Sequence, residues 1–113
     1  MSPITTHILD ITRGCPAAGV AVFLDKLQAD NSWAAVGRGQ TNTDGRATSL
    51  LPPGQLVAGS YRLRFATGDY FAALHVKTFY PEVQVAFKVE DATGHYHVPL
   101  LISPYGYSTY RGS

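Results

Sequence analysis

Cysteine is almost absent: the 113-residue chain carries one, Cys15, so no internal disulfide can form and a disulfide-stapled scaffold is excluded. Charge is sparse as well. Charged residues make up 15% of the sequence, with a formal net charge of +1. No lysine or arginine cluster supplies the electrostatic footprint that nucleic acid or an anionic membrane surface requires, so neither partner is expected. No apolar run approaches the roughly 20 residues of a membrane-spanning helix, and His7 and Asp10 interrupt the N-terminal segment before a signal-peptide core can form. A cytoplasmic location is expected, which the lone cysteine fits; removal of an export signal from a periplasmic protein would leave the same sequence. Cys15 lies in Arg13-Gly14-Cys15-Pro16, which reads as a loop, and with no histidine beside it to generate a thiolate it reads as a bystander.

What the chain does have is punctuation. Seven prolines and eleven glycines break it at short intervals, and the segments between them are rich in β-branched and aromatic residues, the rhythm of an all-β sandwich or barrel. Val83, Val85, Phe87 and Val89 alternate with Gln84, Ala86 and Lys88, and Tyr61, Leu63 and Phe65 with Arg62 and Arg64, which predicts two half-buried strands. Further strands are predicted at Ile4 to Ile11, Val20 to Leu27, Trp33 to Gly39, Tyr96 to Ile102 and Tyr107 to Arg111. Turn-forming residues at 29–32, 43–45, 91–94 and 103–106 separate nearly all of them. Only Asp69 to Lys77 reads as helix, capped by Asp69, with Tyr70, Ala73, Leu74 and Lys77 at helical spacing. No repeat and no linker divides the chain, so residues 1–113 are expected to form one domain.

Three segments carry polar chemistry. In His95-Tyr96-His97-Val98-Pro99-Leu100-Leu101-Ile102, alternation that sends Tyr96, Val98, Leu100 and Ile102 to the core leaves His95, His97, Pro99 and Leu101 on the outer face. A histidine beside an outward leucine marks a surface that something covers, such as a partner subunit; two solvated histidines at a strand start are the plainer alternative. No cysteine or carboxylate nearby completes a tetrahedral metal set. His7 lies within a predicted strand, and Arg46 follows the Asp44-Gly45 turn, where its guanidinium projects from the start of a strand. The end of the chain, Tyr105 to Ser113, packs three tyrosines and an arginine into nine positions, more large aromatics than a frayed terminus carries. An edge strand packed on a neighbour is the simplest account of them.

Taken together, Thr6-His7-Ile8-Leu9-Asp10, Thr41-Asn42-Thr43-Asp44-Gly45-Arg46, His95-Tyr96-His97-Val98-Pro99-Leu100-Leu101 and the final Tyr110-Arg111-Gly112-Ser113 resemble the hydroxyisourate hydrolase branch of the transthyretin-like family. The final tetrapeptide is the most specific piece, since the hormone-carrier branch lacks it. The resemblance implies a prealbumin-like β-sandwich of two antiparallel sheets with one short helix. It also implies a homotetramer built as a dimer of dimers, with active sites in the cleft where dimers meet. The implied substrate is 5-hydroxyisourate, the product of urate oxidation, whose six-membered ring is opened by amide hydrolysis. Position by position, the implied catalytic residues are His7, Arg46 and His97, and the implied substrate-binding residues are Tyr110, Arg111, Gly112 and Ser113. No metal or organic cofactor is implied.

These side chains suit that chemistry. A histidine neutral near pH 7 can deprotonate an attacking water, and either His7 or His97 is a candidate. Arginine stays protonated, but its fork of donors fits a planar urea-like ring and a developing oxyanion, the role expected of Arg46. Ser113 and its neighbours would align substrate or water, and Tyr110 would close the pocket. Two other classes share the fold: a carrier of a small aromatic ligand, and an adhesion or structural sandwich. His75 and His95 are expected to be structural or solvent-facing.

Overall fold

A computed structural model describes residues 2–113. In chain order these form β1 (Ile4–Asp10), β2 (Cys15–Pro16), β3 (Ala21–Leu27), β4 (Trp33–Gln40), β5 (Arg46–Ala47), β6 (Gly59–Phe65), α1 (Thr67–Ala73), β7 (Val83–Val89), β8 (Tyr96–Ser103) and β9 (Gly106–Thr109). The strands build two sheets. One runs β2-β1-β8-β9, with β5 also paired to β1, and the other runs β4-β3-β6-β7. The alternations legible in the sequence point inward from both: Ile4, Ile8, Leu100 and Ile102 from the first sheet meet Val22, Leu24, Leu63 and Phe65 from the second, all essentially without solvent contact. Each such side chain contributes about 1.5–3 kcal/mol by leaving water. On the outer face of the second sheet, buried Asp25 accepts hydrogen bonds from Arg62 and Arg64 at 2.9 and 2.7 Å, which satisfies a charge that burial alone would penalise.

The sandwich of two sheets with one short helix matches the expected class, with one pairing that alternation does not reveal. Every pairing is antiparallel except β1 with β8, which is parallel, in the register Thr5↔His97, His7↔Pro99 and Leu9↔Leu101. The whole second sheet intervenes in sequence between β1 and β8, ample length for the crossover that a parallel pair needs. Cys15, expected in a loop, lies instead in the short strand β2, opposite Asp10.

The helix also differs from its expected bounds. It begins two residues earlier, at Thr67, with Ala66 as an N-cap that makes no side-chain hydrogen bond, so Asp69 lies in its first turn and does not cap it. Thr67 and Phe71 form its buried side, a one-turn spacing that displaces the predicted Tyr70, Ala73, Leu74 and Lys77 seam. It stops before His75, whose φ of 57° lies in the left-handed region. No helix among the described residues is long and apolar enough to cross a membrane.

The turn before β5 is built for position. Asn42 Oδ1 accepts from the backbone N–H of Asp44 and Arg46, and Gly45 adopts φ 76°. A Cβ at position 45 would lie 2.4 Å from the carbonyl oxygen of Ile8, while the Gly45 carbonyl accepts from Ile8 N–H at 2.8 Å. Gly45→Ala is therefore expected to destabilise the fold by about 1–3 kcal/mol in a urea titration, because it combines left-handed strain with a backbone clash.

Candidate active site

The parallel pairing assembles the site. On β1 the residues facing away from the core are Thr5, His7 and Leu9, and the register sets them beside His97, Pro99 and Leu101 of β8. On the other side of β1, Arg46 of β5 pairs directly opposite His7. Neighbouring strands lie about 4.8 Å apart, so three segments distant in sequence converge on one outer face.

The tail closes a second wall. Its path follows from Pro99, which has no N–H to give a ladder. The β8–β9 register runs Leu100↔Thr109, lapses opposite Pro99, and resumes as a single bridge at His97↔Gly112. Thr109 Oγ1 donates to the Pro99 carbonyl at 2.7 Å, and Gly112 N–H donates to the His97 carbonyl at 2.8 Å, pinning the tail to β8 on both sides of the gap. Gly112 is needed there: a Cβ would meet the His97 ring at 2.6 Å and Pro99 Cγ at 3.1 Å.

The result is an open cleft of about 350 Å³ lined by His7, Arg46, His97, Tyr110, Gly112 and Ser113, with Leu9, Pro99 and Leu101 as its apolar floor. An adjoining lobe of about 230 Å³ adds Thr5, Thr48 and His95. Arg46, His97 and Ser113 line both lobes and so stand at their junction. Six of the seven site residues expected from sequence are thus brought together. Arg111 is not: its guanidinium stacks over the Tyr96 ring at 4.7 Å, away from the cleft. Alternation accounts for this, since Tyr110 and Gly112 follow the outer face of Pro99 and His97 whereas Arg111 falls on the face shared by Val98 and Tyr96.

Two further residues reach the site, and one of them, Thr5, carries no sequence signal of its own. Thr5 is buried, and its hydroxyl oxygen lies 2.8 Å from His97 Nδ1 and 3.4 Å from His95 Nε2. His95, expected to be only structural or solvent-facing, is exposed and also touches the site through this hydroxyl. The parallel register that joins Thr5 to β8 was the missing information. His75 is exposed beyond the end of α1. Among the described residues no three His, Cys, Asp or Glu side chains converge as a metal-ligand set, so none is assigned as a ligand.

Burial pushes the His97 imidazole below its ordinary range, and the Arg46 guanidinium, His7 and His95 push the same way; contact with Thr5 opposes them and is outweighed. A lowered histidine value keeps the ring neutral at pH 7 and confines protonation to more acidic solution. In a proton NMR titration His97 is expected to change charge below the usual value of about 6.5. In Arg46→Ala its midpoint should move back up toward that value.

A larger groove, about 620 Å³, runs beside α1 past Arg13, Cys15, Asp69 and Tyr70. Its lining includes no histidine to activate its one thiol, Cys15, so size does not locate the chemistry.

The sequence matches the HIUase/Transthyretin family over residues 4–112. A 5-hydroxyisourate hydrolase of Caulobacter vibrioides is 48% identical over 118 aligned positions, covering 100% of each chain. Among solved structures, the 5-hydroxyisourate hydrolase of Klebsiella pneumoniae superposes with a TM-score of 0.84 at 38% identity, covering 97% of this chain and 98% of that one. Sea bream transthyretin in complex with thyroxine superposes with a TM-score of 0.92 at 32% identity, covering 98% and 95%. Backbone likeness is thus greater to the thyroxine complex and sequence likeness greater to the hydrolases, so the side chains of the cleft must separate the two.

Proposed function

The chain belongs to the HIUase/transthyretin family, and from that membership together with its polar cleft we infer that it hydrolyses 5-hydroxyisourate. The reaction opens the six-membered ring to 2-oxo-4-hydroxy-4-carboxy-5-ureidoimidazoline, a step of urate breakdown. The observation that carries this reading is the convergence of His7, His97 and Arg46 beneath a tail pinned at Gly112. A channel for an apolar ligand gains nothing from so many polar groups facing inward, each costly to desolvate without a partner.

His97 serves as the general base in this proposal. Its neutral ring takes a proton from water as the water oxygen bonds to the ring carbonyl carbon, and the resulting imidazolium returns that proton to the departing nitrogen as the C–N bond breaks. Arg46 faces the same junction and presents its fork of donors to the carbonyl oxygen as negative charge develops there. His7, one strand over, and the Ser113 hydroxyl hold the substrate in line with the water, and exposed Tyr110 covers the opening. Lowering of the His97 proton affinity by Arg46 supports this division of roles, because the arginine that steadies the oxyanion also keeps the base uncharged.

Assembly completes the site in the same proposal. The floor of Leu9, Pro99 and Leu101 borders an open cleft, and an apolar outer face flanking a catalytic group is best covered by another copy. A homotetramer built as a dimer of dimers, with clefts meeting across the dimer–dimer interface, provides that cover and excludes bulk water from the reacting atoms.

Deleting residues 110–113 tests the reading. The continuous ladder ends at Thr109, and beyond it lie only the single Gly112 bridge and the Arg111 stack on Tyr96, so circular dichroism should change little and Tm should fall modestly while ring opening, followed by ultraviolet absorbance, is lost. Retained turnover by the truncated chain would contradict a catalytic tail, and loss of folding would assign the tail to structure.

A further inference from the structure

We propose that Thr5 is a positioning residue that fixes the tautomer of His97, with His95 as the acceptor that makes this possible. The inference rests on His97 acting as the base. A hydroxyl has one proton to donate and two lone pairs with which to accept. The Thr5 hydroxyl has two hydrogen-bonding neighbours among the described residues, His97 Nδ1 at 2.8 Å and His95 Nε2 at 3.4 Å, and it is buried against β8 beside both rings. If it donated to His97 Nδ1, the His97 proton would sit on Nε2, the nitrogen left for the cleft, and that nitrogen would be unable to take a proton from water. If it donates to His95 Nε2 instead, its lone pair receives Nδ1–H of His97, and Nε2 faces the cleft unprotonated.

His95 gives the Thr5 proton a destination away from His97. Because His95 is exposed, solvent satisfies its other ring nitrogen and leaves it free to adopt the accepting tautomer. The chain of contacts therefore runs from His97 Nδ1–H to the Thr5 oxygen, and from the Thr5 hydroxyl to His95 Nε2. The ring that flanks the cleft is held both in angle and in proton placement by a side chain that does not itself line the larger lobe. Of the other groups that act on His97, Arg46, His7 and His95 bear on its charge, and the Thr5 backbone adds a hydrogen bond that favours an N–H on the ring; the choice between its two nitrogens is left to the Thr5 hydroxyl. This is the arrangement by which a partner on one histidine nitrogen determines the chemistry of the other.

The test uses the intact protein labelled with 15N-histidine and held at pH 8, where neutral rings report their tautomers through nitrogen chemical shifts. Wild-type His97 is expected as the Nδ1–H form, the reverse of the Nε2–H form that free imidazole side chains favour. Thr5→Val keeps shape and removes the hydroxyl; it should shift His97 toward Nε2–H and lower kcat by about 10- to 100-fold, by analogy with the loss of a partner that orients a metal-ligating histidine. KM should change little. Thr5→Ser should restore both the tautomer and kcat, and His95→Ala should move the tautomer in the same direction as Thr5→Val. A wild-type His97 in the Nε2–H form, or a tautomer unchanged in Thr5→Val, would overturn the proposal. The spectra decide this whatever the substrate, so failure here is separable from failure of the hydrolase reading.

Discussion

His97→Ala is expected to lower kcat on 5-hydroxyisourate by about 10²- to 10⁴-fold, the range that one positioned general base contributes. The protein should stay folded, because the side chain lies on the outer face of β8 while the strand is anchored by Tyr96, Val98, Leu100 and Ile102 on the inner face. The hydrogen bonds that hold the tail, from Gly112 N–H to the His97 carbonyl and from Thr109 Oγ1 to the Pro99 carbonyl, end on backbone carbonyls of β8 and do not involve the ring. Stopped-flow ultraviolet kinetics beside a thermal melt checks both halves. Turnover near the wild-type rate would shift the role of base to His7, the other histidine of the cleft.

Arg46→Ala is expected to cost about 10²- to 10³-fold in kcat, comparable to removal of an oxyanion donor, together with a raised KM, since the same fork grips the planar ring in the ground state. Arg46 is exposed and heads a two-residue strand whose hold on β1 is made by its backbone opposite His7, so stability should hardly change. Arg46→Lys keeps the charge and loses the fork, and it should recover only a fraction of the activity. Full recovery with lysine would reduce the role of Arg46 to simple charge.

Most of the sandwich was legible because side-chain alternation reports directly which face of a strand is buried. Val83–Val89 was bounded correctly from its pattern alone, and the outward placement of His97 beside Leu101 followed from the inward placement of Leu100 and Ile102. The helix was less legible. Two turns without a capping side chain leave only weak periodicity, and burial of Phe71 against the core overrode the seam drawn through Tyr70 and Leu74.

At the site, His7, Arg46 and His97 were nameable one by one, and their proximity was not, because it depends on a parallel pairing between segments about 90 residues apart. Thr5 was overlooked for the same reason: a threonine in a strand has no chemical signature until the register sets it against an imidazole, here those of His97 and His95. Arg111 is the reverse case. Its place in the final tetrapeptide grouped it with the cleft, whereas alternation past Pro99 turns it onto Tyr96.

The most direct test of the account is an ultraviolet time course of 5-hydroxyisourate freshly generated from urate by urate oxidase, with and without the folded protein. Disappearance accelerated in proportion to protein concentration, with that acceleration reduced about 100-fold or more in His97→Ala and Arg46→Ala, is the predicted result. Decay at the spontaneous rate in the presence of folded, assembled protein would contradict it.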